Sequence, residues 1–134
     1  MRLVEFMTTN IQFIAGGRSV YDAIEQMVDR RIRSLVVQFA DDPPEYGVIT
    51  ARDIVVKVLG KDKSPADVKV SEIASKPMLC VNQDVTLHEA ARLMEENNVA
   101  RVFVCKSGKV VGVVAMIDLM SAVLIMRARG EHVD

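Results

Sequence analysis

Along "RSVYDAIEQMVDRRIRSLVV", residues 18–37, the apolar residues Val20, Ala23, Ile24, Met27 and Val28 recur three and four apart, with Asp22, Glu25, Gln26 and Asp29 between them. That spacing predicts an amphipathic helix with one inward face. "VTLHEAARLMEENNVARVFV", residues 85–104, lies over the same stretch without a gap. It places Leu87, Ala90, Ala91 and Met94 inward, with His88, Glu89, Arg92 and Glu95 mostly outward. Ser19 and Thr86 occupy the N-cap positions, each with an acidic residue three places on, Asp22 and Glu89, in capping-box style.

The alternating pattern on either side repeats too. Short apolar strands are expected at Ile11–Ile14 and Met78–Val81. The strand pairs "SLVVQF" with "YGVIT" and "RVFVC" with "VVGVVA" are each closed by a turn, "DDPP" and "SGK". A second helix begins near Thr50 in one copy and near Ala115 in the other; in the first copy Gly60 is expected as its C′ residue. "KDKSPADVK" reads as a polar linker. The chain is therefore two β-α-β-β-α units of the α+β class. Repeat one spans about 3–60, the linker about 61–69, repeat two about 70–128, and a tail covers 129–134. One unit alone leaves too much apolar surface uncovered, so the two are expected to pack as a pseudo-two-fold pair.

Composition adds mainly exclusions. The chain has 134 residues, 50% of them hydrophobic, with 17 basic against 18 acidic side chains. That balance gives no reason to expect a nucleic-acid partner. The apolar run 110–126 is shorter than the roughly 20 residues a membrane span needs and carries Asp118, so no membrane association is expected and the protein reads as cytoplasmic. Cys80 and Cys105 sit in apolar strand patterns and are expected as free core thiols. No nucleophile elbow and no phosphate-binding loop occur, and Gly16-Gly17 reads as a tight turn. The two histidines, His88 and His132, suggest neither a metal site nor a catalytic base. The expectation is a protein that is not an enzyme, with no catalytic residue, no metal and no required cofactor.

One junction carries chemistry. In "YGVITARDIV" an apolar strand runs straight into Thr50-x-x-Asp53 at a helix start. Two readings stay open from the motif itself. It is a capping-box variant, worth about 0.5–2 kcal/mol without any ligand. It is also a hydroxyl for a phosphate beside an acceptor-only carboxylate for the two hydroxyls of a ribose. The matching "VGVVAMIDLM" keeps Asp118 but has Ala115 for Thr50 and Ile117 for Arg52.

The tandem order, "RIRSLVV" with "NVARVFV", and above all "GVITARDIV" with "GVVAMIDLM", resemble the CBS (cystathionine β-synthase) domain pair, or Bateman module. The resemblance covers nearly the whole chain. It implies a regulatory module that binds an adenosine-type ligand in clefts between the repeats: AMP, ADP, ATP, NAD or S-adenosylmethionine, with AMP or ADP preferred here. Carried over by position, the first cleft would use Thr50, Arg52 and Asp53 with Pro77, Met78, Leu79, Ala100 and Arg101. For Arg101 the alternative is a solvated charge beside the sheet. The second and weaker cleft would use Asn10, Ile11, Gln12, Arg33, Ser34 and Asp118. Asp118 otherwise simply favours its own helix N-terminus.

Partners follow from the same reading. "IDLMSAVLIMRARG" is apolar on more than one face and "DIVVKVL" has a similar excess, so a homodimer through the repeat helices is expected. The process controlled, and the effector protein, are not encoded in these residues. The alternative function is a ligand-free interaction and dimerisation module acting as an adaptor, with the acidic "FADDPPEYG" loop facing its partner.

Overall fold

The structure, a computed structural model, describes residues 1–41, 44–76 and 78–131. The chain forms two compact units, Gln12–Met78 and the combination of Met1–Ile11 with Leu79–Asp134. The expected turn "DDPP", Pro77, His132 and the end of the tail lie partly or wholly outside the described residues.

The first unit contains β1 (Phe13–Ala15), α1 (Val20–Arg30), β2 (Ser34–Asp41), β3 (Pro44–Thr50), α2 (Ala51–Lys57) and α3 (Val70–Ile73). Its sheet has the order β1-β2-β3, parallel between β1 and β2 and antiparallel between β2 and β3. Ser19 caps α1, its hydroxyl accepting from Asp22 N at 3.1 Å. Val20, Ala23 and Met27 enter the core with Leu35, Val37, Ile49, Ile54 and Val58. Val28, expected on that face, is 69% exposed, because it falls at the edge of the stripe where the helix turns away.

The expected stop at Gly60 is corrected. α2 ends at Lys57, the next residue, Val58, is fully buried, and a 3-10 turn spans Leu59–Lys61. Turning Val58 into the core takes it off the helical path, and Asp62, not Gly60, adopts the left-handed conformation at φ 56°. The linker is not a free tether either. Val20 N donates to Val68 O at 2.8 Å and Val70 N to Arg18 O at 2.8 Å, so residues 68–73 complete the first unit's core.

The second unit has β4 (Cys80–Val81), α4 (Leu87–Asn97), β5 (Arg101–Lys106), β6 (Lys109–Ala115) and α5 (Met116–Ala128), with strand order β4-β5-β6. Both edge strands begin two residues later than the apolar pattern suggested. The β5–β6 turn uses Ser107 and Gly108 at φ 52° and 77°, a two-residue turn of the kind that suits strand twist. Leu87, Ala90 and Met94 of α4 are buried, whereas Ala91 is exposed. Leu3, from a short 3-10 turn at Leu3–Glu5, is fully buried in this core, with Leu3 N donating to Val85 O at 2.9 Å and Leu87 N to Met1 O at 3.0 Å.

The glycines of the two repeated strand–helix segments have a steric reason. Thr8 pairs with Val113 in the second unit, and Ser75 with Val48 in the first. A Cβ on Gly47 would drive into the Ser75 carbonyl oxygen and the Phe39 ring; one on Gly112 would meet the Met7 side chain.

The cysteines correct the sequence reading. Cys80 is exposed, Cys105 half-buried, and the two form a disulfide with their Cα atoms 5.6 Å apart. Parallel pairing sets Cys80 opposite Phe103 on β5, and a bulge between Val104 and Cys105 follows, which brings the thiols within bonding reach. That register is a tertiary property, invisible in strand patterns taken singly. Among the described residues no helix is long and apolar enough to cross a membrane.

Candidate functional site

In the first unit β3 delivers Thr50 to the start of α2, where hydroxyl and carboxylate cross over. Thr50 Oγ1 accepts from Asp53 N at 3.1 Å, and Asp53 Oδ2 accepts from Thr50 N at 2.9 Å. Asp53 Oδ1 lies 3.3 Å from Lys57 Nζ, which also donates to Ile73 O at 3.1 Å. The carboxylate side chain is 18% exposed, so the geometry is held yet reachable. A carboxylate offers about four lone-pair directions, so two bonds leave capacity for two more donors. Thr50 accepts through its oxygen and keeps its O–H to donate. Capping and ligand binding are therefore compatible at this junction.

Arg52 is exposed beside it. Ser34 pairs with Thr50 across the sheet, and Ala51 N donates to Arg33 O at 2.9 Å. The first unit thus gathers Thr50, Arg52 and Asp53 of the first set with Arg33 and Ser34 of the second. Met78 is nearly buried, and Pro77 lies outside the described residues.

The second unit repeats the backbone of this junction. Asp118 Oδ2 accepts from Ala115 N at 2.8 Å, Arg101 pairs with Ala115, and Met116 N donates to Ala100 O at 3.1 Å. Ala115 has no hydroxyl to cap or to donate, and Ile117, in the place of Arg52, is 62% exposed. Asp118, Ala100 and Arg101 are gathered here, with Ala100 lining a shallow groove beside Met116 and Leu119. Leu79 is half-buried and its carbonyl accepts from Phe103 N at 2.9 Å. Asn10 and Ile11 belong to this unit, and Gln12 to the first, where its side-chain oxygen accepts from Arg30 and its carbonyl from Val36 N at 3.0 Å.

Sequence reasoning missed Lys57, the cation that pairs with Asp53. Its position four residues beyond an acid on a helix was the available signal. Among the described residues, no group of three or more His, Cys, Asp or Glu side chains is placed to hold a metal ion.

Residues 3–60 and 70–125 each match the CBS domain. An uncharacterized protein of the archaeon Methanopyrus kandleri is 35% identical over 111 residues, covering 80% of this chain and 56% of its own length. A second, from Methanocaldococcus jannaschii, is 32% identical and covered over 58%, so the chain spans a little over half of these archaeal relatives. Hypoxic response protein 1 of Mycobacterium tuberculosis is 27% identical over 86% of this chain and 80% of its own. Among solved structures, a hexameric CBS-CP12 protein from bloom-forming cyanobacteria superposes with a TM-score of 0.85 at 30% identity, over 90% of this chain and 66% of that one. An uncharacterized conserved protein from Pyrococcus horikoshii gives 0.79 at 27%, with 90% of each chain covered. Two domain matches in tandem, on two units of the same element order, make this chain a member of the CBS domain family, built as a CBS pair.

Proposed function

We propose that this CBS pair is a regulatory module, not an enzyme, that binds an adenosine-type nucleotide with Thr50 and Asp53 as its principal contacts. The observation that carries the reading is the intact hydroxyl–carboxylate crossover at Thr50 and Asp53, set against a second junction that lacks the hydroxyl. In this reading the two ribose hydroxyls donate to Asp53, and the Thr50 hydroxyl donates to a phosphate oxygen. Arg52 supplies a guanidinium to the phosphate. So few cations favour AMP or ADP over ATP; NAD and S-adenosylmethionine complete the set to be tried. The Asp118 site, which lacks the hydroxyl and the guanidinium, is the weaker one.

Self-association belongs to the same proposal. Met116, Ile117, Met120 and Leu124 on α5, and Val55 and Val56 on α2, are large apolar side chains left about half or more exposed. We infer a homodimer formed through these helices, and an effector protein not specified by this chain.

Isothermal titration with AMP, ADP, ATP, NAD and S-adenosylmethionine tests the reading. One ligand per chain is expected, with affinity falling about 10- to 100-fold in Asp53→Ala, the usual cost of losing bonds to a charged acceptor. Asp118→Ala should keep that affinity. No heat with any ligand would reduce Thr50 and Asp53 to a helix cap and favour the adaptor alternative.

A further inference from the structure

The cysteine pair is the feature the nucleotide reading does not use. Cys80 opens the two-residue edge strand β4, and Cys105 lies on the central strand β5. Besides the disulfide, β4 is held by two register pairs with β5, by Phe103 N donating to Leu79 O at 2.9 Å, and by the half-buried Leu79 and Val81 packed against the core. The first unit secures its own edge strand without a covalent bond. There Phe13 stands in the repeat position of Cys80, its ring centroid 6.3 Å from that of Tyr46, and Gln26 Nε2 donates to Phe13 O at 3.1 Å.

We propose that the Cys80–Cys105 disulfide is a reversible redox latch that sets how firmly β4, and Leu79 before it, is held on the second unit's sheet. The exposed Cys80 offers the entry point, since exchange requires access for an attacking thiolate. A small thiol, as thiolate, attacks the Cys80 sulfur; the S–S bond breaks, and the Cys105 thiolate leaves and takes up a proton. A second thiol attacks the mixed disulfide on Cys80, departs with the first as a small-molecule disulfide, and releases the Cys80 thiolate, which is protonated in turn. Two electrons pass from the two thiols to the protein. Reduction opens a link across a sequence separation of 25 residues and leaves β4 on its short ladder and the packing of Leu79 and Val81.

The test equilibrates the full chain in glutathione buffers of graded ratio, counts thiols in denaturant, and follows amide hydrogen exchange by mass spectrometry. Two thiols should appear and disappear reversibly, and peptides covering 79–81 should exchange about tenfold faster or more in the reduced form. The Cys80→Ser, Cys105→Ser double variant should show the reduced rate in every buffer, while peptides from β1 stay unchanged. A pair that remains oxidised in excess reduced glutathione, or thiols that never pair in excess oxidised glutathione, overturns the latch. Equal exchange at 79–81 in both states overturns it as well.

Discussion

The junction Thr50–Asp53 and its counterpart Ala115–Asp118 share a backbone and differ in one hydroxyl and two cations, Arg52 and Lys57. In both, the aspartate three residues into the helix accepts from the amide at the cap, at 2.9 Å in the first and 2.8 Å in the second. In both, the first helical amide donates to the carbonyl that precedes the neighbouring strand, Arg33 O or Ala100 O. Among the described residues, the first alone has a cap hydroxyl that accepts in return from the aspartate amide, and a lysine on its carboxylate. The two aspartates therefore keep a scaffold role that needs no ligand, and the chemistry added to that scaffold is free to differ. Duplicated sequence preserved the turn; it did not preserve what the turn can bind.

The strongest way to break the comparison is to remove a residue that belongs to one repeat by sequence and to the other by packing. Leu3→Ala is expected to cost about 2–5 kcal/mol, measured by chemical denaturation, because a fully buried leucine leaves a cavity. Hydrogen exchange should quicken in α4 more than in α1. Quickening confined to α1 would overturn the assignment of Leu3 to the second unit.

The paired glycines give the next effect. Gly47→Ala should lose about 1–3 kcal/mol in thermal or denaturant unfolding, since backbone at Ser75 blocks the new methyl. Gly112→Ala meets only the flexible Met7 side chain and should lose less. Equal losses would show that the crowding at Ser75 is not what fixes Gly47.

Restoring the missing hydroxyl sharpens the contrast from the other side. Ala115→Thr should stabilise the chain by about 0.5–2 kcal/mol as a new N-cap. Paired with Ile117→Arg, it should add binding at Asp118 in the same titration. A gain in stability with no added binding would mean that Asp118 is a structural residue only.

The smallest difference lies at the ends of α1 and α4. Arg31 and Asn98 both take the left-handed conformation, at φ 54° and 51°, and arginine tolerates it less well than asparagine or glycine. Arg31→Gly is expected to stabilise by up to about 1 kcal/mol, read as a small rise in Tm. A fall would show that the Arg31 side chain makes a contact that outweighs the strain.

These contrasts also mark how far the chain could be read directly. α1, α4 and the hairpins announce themselves through local signals, caps at Ser19 and Thr86 and the Ser107-Gly108 turn, whose energetics involve neighbours in sequence. The Thr50–Asp53 crossover is local too, and the geometry has the expected form. What escaped depends on distant chain. Val58 leaves the helix because a core wants it, Lys57 reaches both Asp53 and Ile73, and Cys80 meets Cys105 through strand register and a bulge. The Lys57–Asp53 pair is the exception, four residues apart on one helix and legible there; no window of ten residues contains the others.

The placement of Leu3 has a consequence for the order in which the protein can be finished. Residues 1–11 leave the ribosome well before Val85, Leu87 and Val113, with which Leu3, Met1 and Thr8 form backbone bonds. Residues 1–11 therefore wait for the second repeat before their own unit can close, while Gln12–Met78 can close on itself meanwhile. For that interval Val4, Phe6 and Met7 are apolar residues whose own unit is not yet made, and any nascent-chain factor that shields such stretches would find a target there.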